Sequence, residues 1–148
     1  IARDMKEKKP LFICVLNGAF MFAADLIKRI NVPCEVGFIR LKSYRGTQSS
    51  GSIKEIQGLV ENVENRHLVI VEDIIDTGHT MSYLVNKLKT ENPASVKTAC
   101  LLFKPNALET GTKPDYCALE IPNDFIVGYG LDYDGLGRNL KNIYKIKS

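Results

Sequence analysis

Leu11 to Leu16 reads LFICVL and Leu68 to Val71 reads LVIV, apolar at every position. A strand with one wet face alternates polar and apolar residues, so runs like these bury both faces. Cys34 to Leu41 and Val96 to Phe103 have the composition of two further strands. A helical pattern runs from Ala19 to Ile30, and another from Thr80 to about Glu91, closed by Asn92-Pro93. Strand, helix, strand, helix in this order predicts βαβ units. The expected fold class is α/β, a mostly parallel twisted sheet with helices on both faces.

Composition narrows the function classes. The chain has 148 residues, 45% hydrophobic and 25% charged, which suits one domain with a real core and not a disordered chain. The longest apolar stretch, from Ala19 to Ala24, stops at Asp25, far short of a bilayer, so no membrane role is expected. Twenty basic against 17 acidic residues leave only +3, too mild to argue for a nucleic-acid partner. Cys14, Cys34, Cys100 and Cys117 stand apart in apolar surroundings without CxxC spacing, and read as reduced core thiols of a cytoplasmic protein. Lys6 to Lys9, Lys141, Lys145 and Lys147 read as solvated surface. The chain starts at Ile1 without an initiator methionine, and a preceding segment is expected. There is no internal repeat and no linker. Arg45 to Ser52 (RGTQSSGS) cannot pack a core and is expected to be a loop, either a hairpin tip or a lid over a site.

The chemistry concentrates between Leu68 and Thr80. The buried run there ends in Glu72-Asp73, followed by Asp76-Thr77-Gly78-His79-Thr80 at a helix start. Ligands of open α/β sheets sit at the carboxyl ends of strands, where this cluster falls. Free N–H groups, two hydroxyls and a glycine at a helix N-terminus suit a phosphate. An ordinary N-cap by Asp76 or Thr77 would explain one of these residues but not Glu72 and Asp73 as well. Two carboxylates beside a phosphate are reconciled by sugar hydroxyls or a divalent cation, so the site asks for a ribose phosphate with magnesium. Neither GxxxxGK[ST] nor GxGxxG is present.

The thirteen residues Leu68 to Thr80 resemble the phosphoribosyl-pyrophosphate motif of type I phosphoribosyltransferases. The form EDIIDTG is most similar to the hypoxanthine-guanine members. VLNGAFMFAADL at 15–26, FIRLKSYRGTQSSG at 38–51, LLFKP at 101–105 and KPDYCALEIPNDFIVGYGLDY at 113–133 extend the resemblance in family order. It implies a purine-salvage transferase joining hypoxanthine or guanine, with xanthine as a further candidate, to phosphoribosyl pyrophosphate. The products would be IMP or GMP and pyrophosphate. It further implies a single phosphoribosyltransferase domain with a small hood region, a magnesium cofactor, and a homodimer or homotetramer. Two other classes compete. An aspartic protease also carries Asp-Thr-Gly, but in paired loops of an all-β fold. A non-catalytic regulator of the same fold would keep the sugar-phosphate loop and add a nucleic-acid surface, for which no motif is visible.

The roles the resemblance implies follow residue by residue. Asp76 accepts the purine N7 proton. Glu72 and Asp73 hold the ribose hydroxyls, directly or through magnesium, while Thr77, Gly78, His79 and Thr80 bind the 5′-phosphate, His79 by its backbone more than its ring. Leu16-Asn17-Gly18 forms the pyrophosphate loop, with a non-proline cis peptide expected there; Asn17 replaces the lysine or arginine of many relatives. Arg138 contacts pyrophosphate. Lys104 donates to the exocyclic oxygen of the base; an ammonium only donates, so it suits O6 and disfavours the amino group of adenine. Phe125 stacks on the purine, the Ile126 backbone reads its edge, and Asp132 lies by the base and holds magnesium. Each of these has a plainer reading, Lys104 as a solvated strand end, Phe125 as core and Asp132 as part of a turn. Ser43 and Tyr44 begin the mobile catalytic lid, about 43–52, that keeps water out.

Overall fold

The computed structural model describes residues 1–44 and 52–147. In chain order the elements are β1 (Leu11–Leu16), α1 (Phe20–Lys28), β2 (Glu35–Tyr44), β3 (Ser52–Gln57), β4 (His67–Ile75), α2 (His79–Lys89), β5 (Ser95–Phe103) and β6 (Tyr116–Glu120), then β7 (Ile126–Val127) and β8 (Tyr144–Lys145). The first six strands form one sheet in the order β3-β2-β1-β4-β5-β6. All its pairings are parallel except β2 with β3. β7 and β8 make a small antiparallel sheet of their own. No described helix is long and apolar enough to cross a membrane.

Both faces of the large sheet are covered, which is why its central strands carry no polar alternation. On β1, Leu11, Ile13 and Val15 join Leu68, Ile70, Met81, Leu84 and Leu88 on the α2 side. Phe12 and Cys14 join Val69, Val71 and Ala23 on the α1 side. Each of the valines, leucines, isoleucines, Phe12 and Met81 among them contributes roughly 1.5–3 kcal/mol by leaving water. β6 lies at the sheet edge, with four of its five residues exposed; its short apolar run, Tyr116 to Leu119, is not among the strands predicted above.

Two expectations and one plainer reading need correction. The strand expected to end at Val71 runs to Ile75, so Glu72 and Asp73 lie inside β4 and only Asp76 lies beyond it. Continued pairing with β5, Glu72 opposite Cys100 and Ile75 opposite Phe103, carries the extended backbone past the acids. Second, only two cysteines are core thiols. Cys14 and Cys100 are buried, and burial pushes Cys14 up to about 11 and Cys100 further still. Cys34 is half-buried, and Cys117 is exposed because β6 is an edge strand. Third, α2 has no side-chain cap: its N-cap is Gly78 at φ 89°, and neither Asp76 nor Thr77 takes that role. Of the expected loop, residues 45–51 lie outside the described residues; its flanks pair antiparallel, Ser43 opposite Ile53 and Tyr44 opposite Ser52.

Candidate active site

Strand order locates the site. β1 and β4 lie side by side, while the chain leaves β1 through α1 on one face and leaves β4 through α2 on the other. A crevice opens at the carboxyl ends of such a strand pair. The segment after β1 contains a cis peptide between Leu16 and Asn17, as expected for this loop. Gly18 then packs so closely against β4 that a Cβ there would stand 1.7 Å from Asp73 Oδ2. The loop after β1 and the acids of β4 therefore face each other.

The second loop forms a cleft of about 90 Å³, lined by Glu72, Asp76, Thr77, Gly78, Thr80 and Met81 among others. With Gly78 left-handed and no capping side chain, the first N–H groups of α2 meet no side-chain acceptor from the cap residue. Ser82 N–H donates to Gly78 O at 2.9 Å, the first bond of the helix. Only glycine fits the turn, since a Cβ at position 78 would lie 2.4 Å from Thr110 Oγ1. Uncapped amides, a hydroxyl on each side of a glycine and helix polarity together make an anion site. His79 points elsewhere: its ring is exposed, with Nε2 2.6 Å from Glu109 Oε2.

Asp76 and Lys104 meet through strand register. Ile75 and Phe103 are partners on β4 and β5, and the Lys104 N–H donates to Ile75 O at 2.9 Å. The next residues, Asp76 and Lys104, are thus neighbours, with Nζ 3.3 Å from Asp76 Oδ2. Lys104 is only 8% exposed, so it is not a solvated strand end.

The third group comes from the segment around β7. Phe125 is 53% exposed, which excludes it from the core, and its ring meets Tyr133 edge-on at 5.5 Å and 85°. Ile126 pairs with Lys145 in the small sheet. The Asp132 carboxylate accepts from Gly135 N–H at 2.9 Å and ion-pairs with Arg138 at 3.1 Å. Arg138 Nη1 also donates to Gly130 O at 2.7 Å. Gly130 in turn abuts Gly18, whose O would lie 2.3 Å from a Cβ at position 130. Ser43 is exposed near the end of β2, and Tyr44 is described by its backbone.

Glu72 and Asp73 carry the site's unusual electrostatics. Burial, reinforced by the Asp73 charge, holds the Glu72 carboxyl well above the ordinary carboxylate range. Burial also raises Asp73, despite its hydrogen bonds to Glu72 and to the Ile74 N–H. Two desolvated acids in contact favour a cation or a hydrogen-bond donor beside them. Among the described residues no set of three or more acids, histidines and cysteines converges as a ready metal cage. Magnesium does not require one, since it binds through one or two carboxylates and ligand phosphates while keeping waters. This donor set fits magnesium.

Glu109, Asp25, Tyr129 and Tyr133 escaped the sequence reading. Their partners lie 30, 104 and 8 positions away, beyond any local pattern. An aromatic between two glycines at Gly128-Tyr129-Gly130 was the one visible sign of an unusual turn.

A parallel sheet with an uncapped glycine turn after one strand and a tight loop after its neighbour defines a class. A family model described as phosphoribosyl transferase domain matches residues 1–134, and the chain belongs to that family. The kinship narrows within it. The chain is 43% identical over 148 residues to the hypoxanthine-guanine phosphoribosyltransferase of Streptococcus thermophilus, covering 99% of this chain and 82% of that protein. The crystal structure of a hypoxanthine phosphoribosyltransferase from Staphylococcus aureus superposes with a TM-score of 0.94 at 37% identity, over 99% of this chain and 80% of that one. The Trypanosoma cruzi enzyme in complex with the product IMP gives 0.91 at 40% identity, over 99% and 83%. The all-β aspartic protease reading is excluded by the fold.

Proposed function

We propose that the protein is a purine-salvage enzyme that transfers the 5-phosphoribosyl group of phosphoribosyl pyrophosphate to hypoxanthine or guanine, giving IMP or GMP and pyrophosphate. The observation that carries the base assignment is the Lys104–Asp76 pair, 3.3 Å apart beside the phosphate turn. A 6-oxopurine presents O6, an acceptor, and N7–H, a donor, along one edge. Lys104 donates to the first and Asp76 accepts from the second. Adenine presents an amino group where Lys104 needs an acceptor.

The reaction follows. Purine N9 attacks C1′ of the ribose, the bond from C1′ to the pyrophosphate oxygen breaks with its electron pair leaving on pyrophosphate, and the N7 proton passes to Asp76. Thr77, Gly78, His79 and Thr80 hold the 5′-phosphate through amides and hydroxyls, and Leu16, Asn17, Gly18 and Arg138 receive the pyrophosphate. Glu72 and Asp73 fix the ribose hydroxyls. Phe125 covers the base and the Ile126 backbone meets its edge. Glu72 and Asp73 would hold magnesium, as would Asp132 at its own position, and the metal would neutralise phosphate charge. Asp132 and Arg138 are paired with each other in this structure, so this reading has ligand drawing the arginine away. Ser43 and Tyr44 would begin the lid, whose residues 45–51 lie outside the described residues. The proposed setting is the cytoplasm, where free cysteines stay reduced, and the proposed assembly is a homodimer or homotetramer.

The test is an ultraviolet assay with phosphoribosyl pyrophosphate and magnesium, offering hypoxanthine, guanine, xanthine and adenine separately. Turnover of 6-oxopurines but not adenine, abolished by a chelator, is expected. Turnover of adenine, or of no base by a folded protein, overturns the reading.

A further inference from the structure

Arg138 reaches the site from a turn whose conformation is costly, and the structure shows what restrains it. Tyr129 sits at φ 49°, a left-handed conformation that bulky residues rarely adopt, between Gly128 at 100° and Gly130 at 98°. Its N–H donates to Leu140 O at 2.9 Å, and the Gly130 N–H donates to Arg138 O at 3.0 Å. The Arg138 guanidinium returns a bond to Gly130 O at 2.7 Å. Gly130 and Arg138 therefore move as one unit, and Gly130 is the point of contact with Gly18 in the loop after β1.

Backbone bonds within the turn do not fix its place against the sheet. Among the described residues the one side-chain bond from the turn to α1 is the Tyr129 hydroxyl, which donates to Asp25 Oδ2. Lys28 holds the other carboxylate oxygen at 2.9 Å, so the acceptor is itself oriented. α1 begins at Phe20, two residues past Gly18. A bond from Tyr129 to α1 thus ties the arginine turn to the helix that extends the Leu16–Gly18 loop.

We propose that Asp25 and Tyr129 are a positioning pair for pyrophosphate, holding the Gly130–Arg138 unit against the Asn17–Gly18 loop so that the guanidinium and the loop amides converge on one anion. The proposal rests on the reading of Arg138 as a pyrophosphate ligand. It separates these two residues from Lys104, Asp76 and the 5′-phosphate turn, which are carried by β4, β5 and α2, while Phe125, Ile126 and Asp132 share the segment that holds Tyr129.

The separation is measurable. Losing the bond in Tyr129→Phe or Asp25→Ala is expected to raise KM for phosphoribosyl pyrophosphate about tenfold, the usual worth of one hydrogen bond to a charged group. KM for hypoxanthine rises less than KM for phosphoribosyl pyrophosphate, because Lys104 and Asp76 are untouched, and the melting temperature stays near wild type. Asp25→Asn, which keeps an acceptor oxygen, restores most of the affinity, and Tyr129→Phe combined with Asp25→Ala is no worse than either alone. Calorimetric titration with pyrophosphate and magnesium must show the same order of affinities. That arm stands even if the protein turns over no purine, so failure of the base assignment and failure of this pair are told apart. Unchanged pyrophosphate affinity in both single variants overturns the proposal. So does an equal rise in both KM values accompanied by a fall in melting temperature.

Discussion

Lys104 is buried at the end of β5, where an unpaired ammonium would be costly. Its carboxylate partner is 45% exposed and so remains open to a ligand. A lysine held ready by one acid can be shared with an O6 acceptor without first being desolvated. The glycines set the same limits in steric form. Gly130 and Gly135 have similar backbones, at φ 98° and 80°, but a Cβ at 130 would meet Gly18 O at 2.3 Å while nothing lies within 4 Å of one at 135. Gly135→Ala should therefore cost only the left-handed strain, about 1 kcal/mol. Gly130→Ala should cost clearly more and also weaken binding of phosphoribosyl pyrophosphate. Thermal denaturation of the two variants side by side checks this; equal melting temperatures would contradict the close approach to Gly18.

Among the elements, the strands that bury both faces were legible and those that do not were not. LFICVL and LVIV announce β1 and β4 because no polar residue interrupts them. β3 and β6 lie at the two edges of the sheet and alternate or expose most residues, so no apolar run marks β3 and only the short run Tyr116 to Leu119 marks β6. The end of β4 was misread because two acids look like a strand terminus, whereas pairing with β5 decides it. Contacts between elements were invisible for the same reason. The Asp25–Tyr129 bond joins α1 to a turn 104 positions on, and it leaves a titration signature. Burial, then the hydrogen bond to Asp25 and the Asp25 charge, push the Tyr129 phenol up to about 12, from an ordinary value of 10.0. A raised pKa in the folded state favours the neutral phenol. Its stabilisation is thus complete below about pH 10 and is lost as the pH climbs toward 12. Tyr116, beside Asp4, behaves likewise. Phenolate absorbance should show Tyr116 and Tyr129 titrating late, and Asp25→Asn should bring Tyr129 earlier. A superimposable curve for the variant would count against the bond.

At the scale of the molecule, the fold gathers segments that are far apart in sequence. The loop after β1, the acids of β4, the turn into α2, the end of β5 and the turn before β8 meet through strand order and register. The sequence motif from Glu72 to Thr80 was readable because it is contiguous and combines acids, hydroxyls and a glycine at a helix start. That Lys104 faces Asp76, 28 positions away, was not, since only the pairing of Ile75 with Phe103 brings them together. The central claim is that this pair handles the purine edge, with Asp76 taking the proton. It is tested most directly by the turnover of Asp76→Asn with hypoxanthine, measured beside its melting temperature and its KM for phosphoribosyl pyrophosphate. The amide keeps the shape and an acceptor oxygen but is too weak a base to take up the proton, so kcat should fall about 10²–10⁴-fold. Melting temperature and KM should hold near wild type. A variant that keeps kcat within about twofold of wild type would contradict the claim.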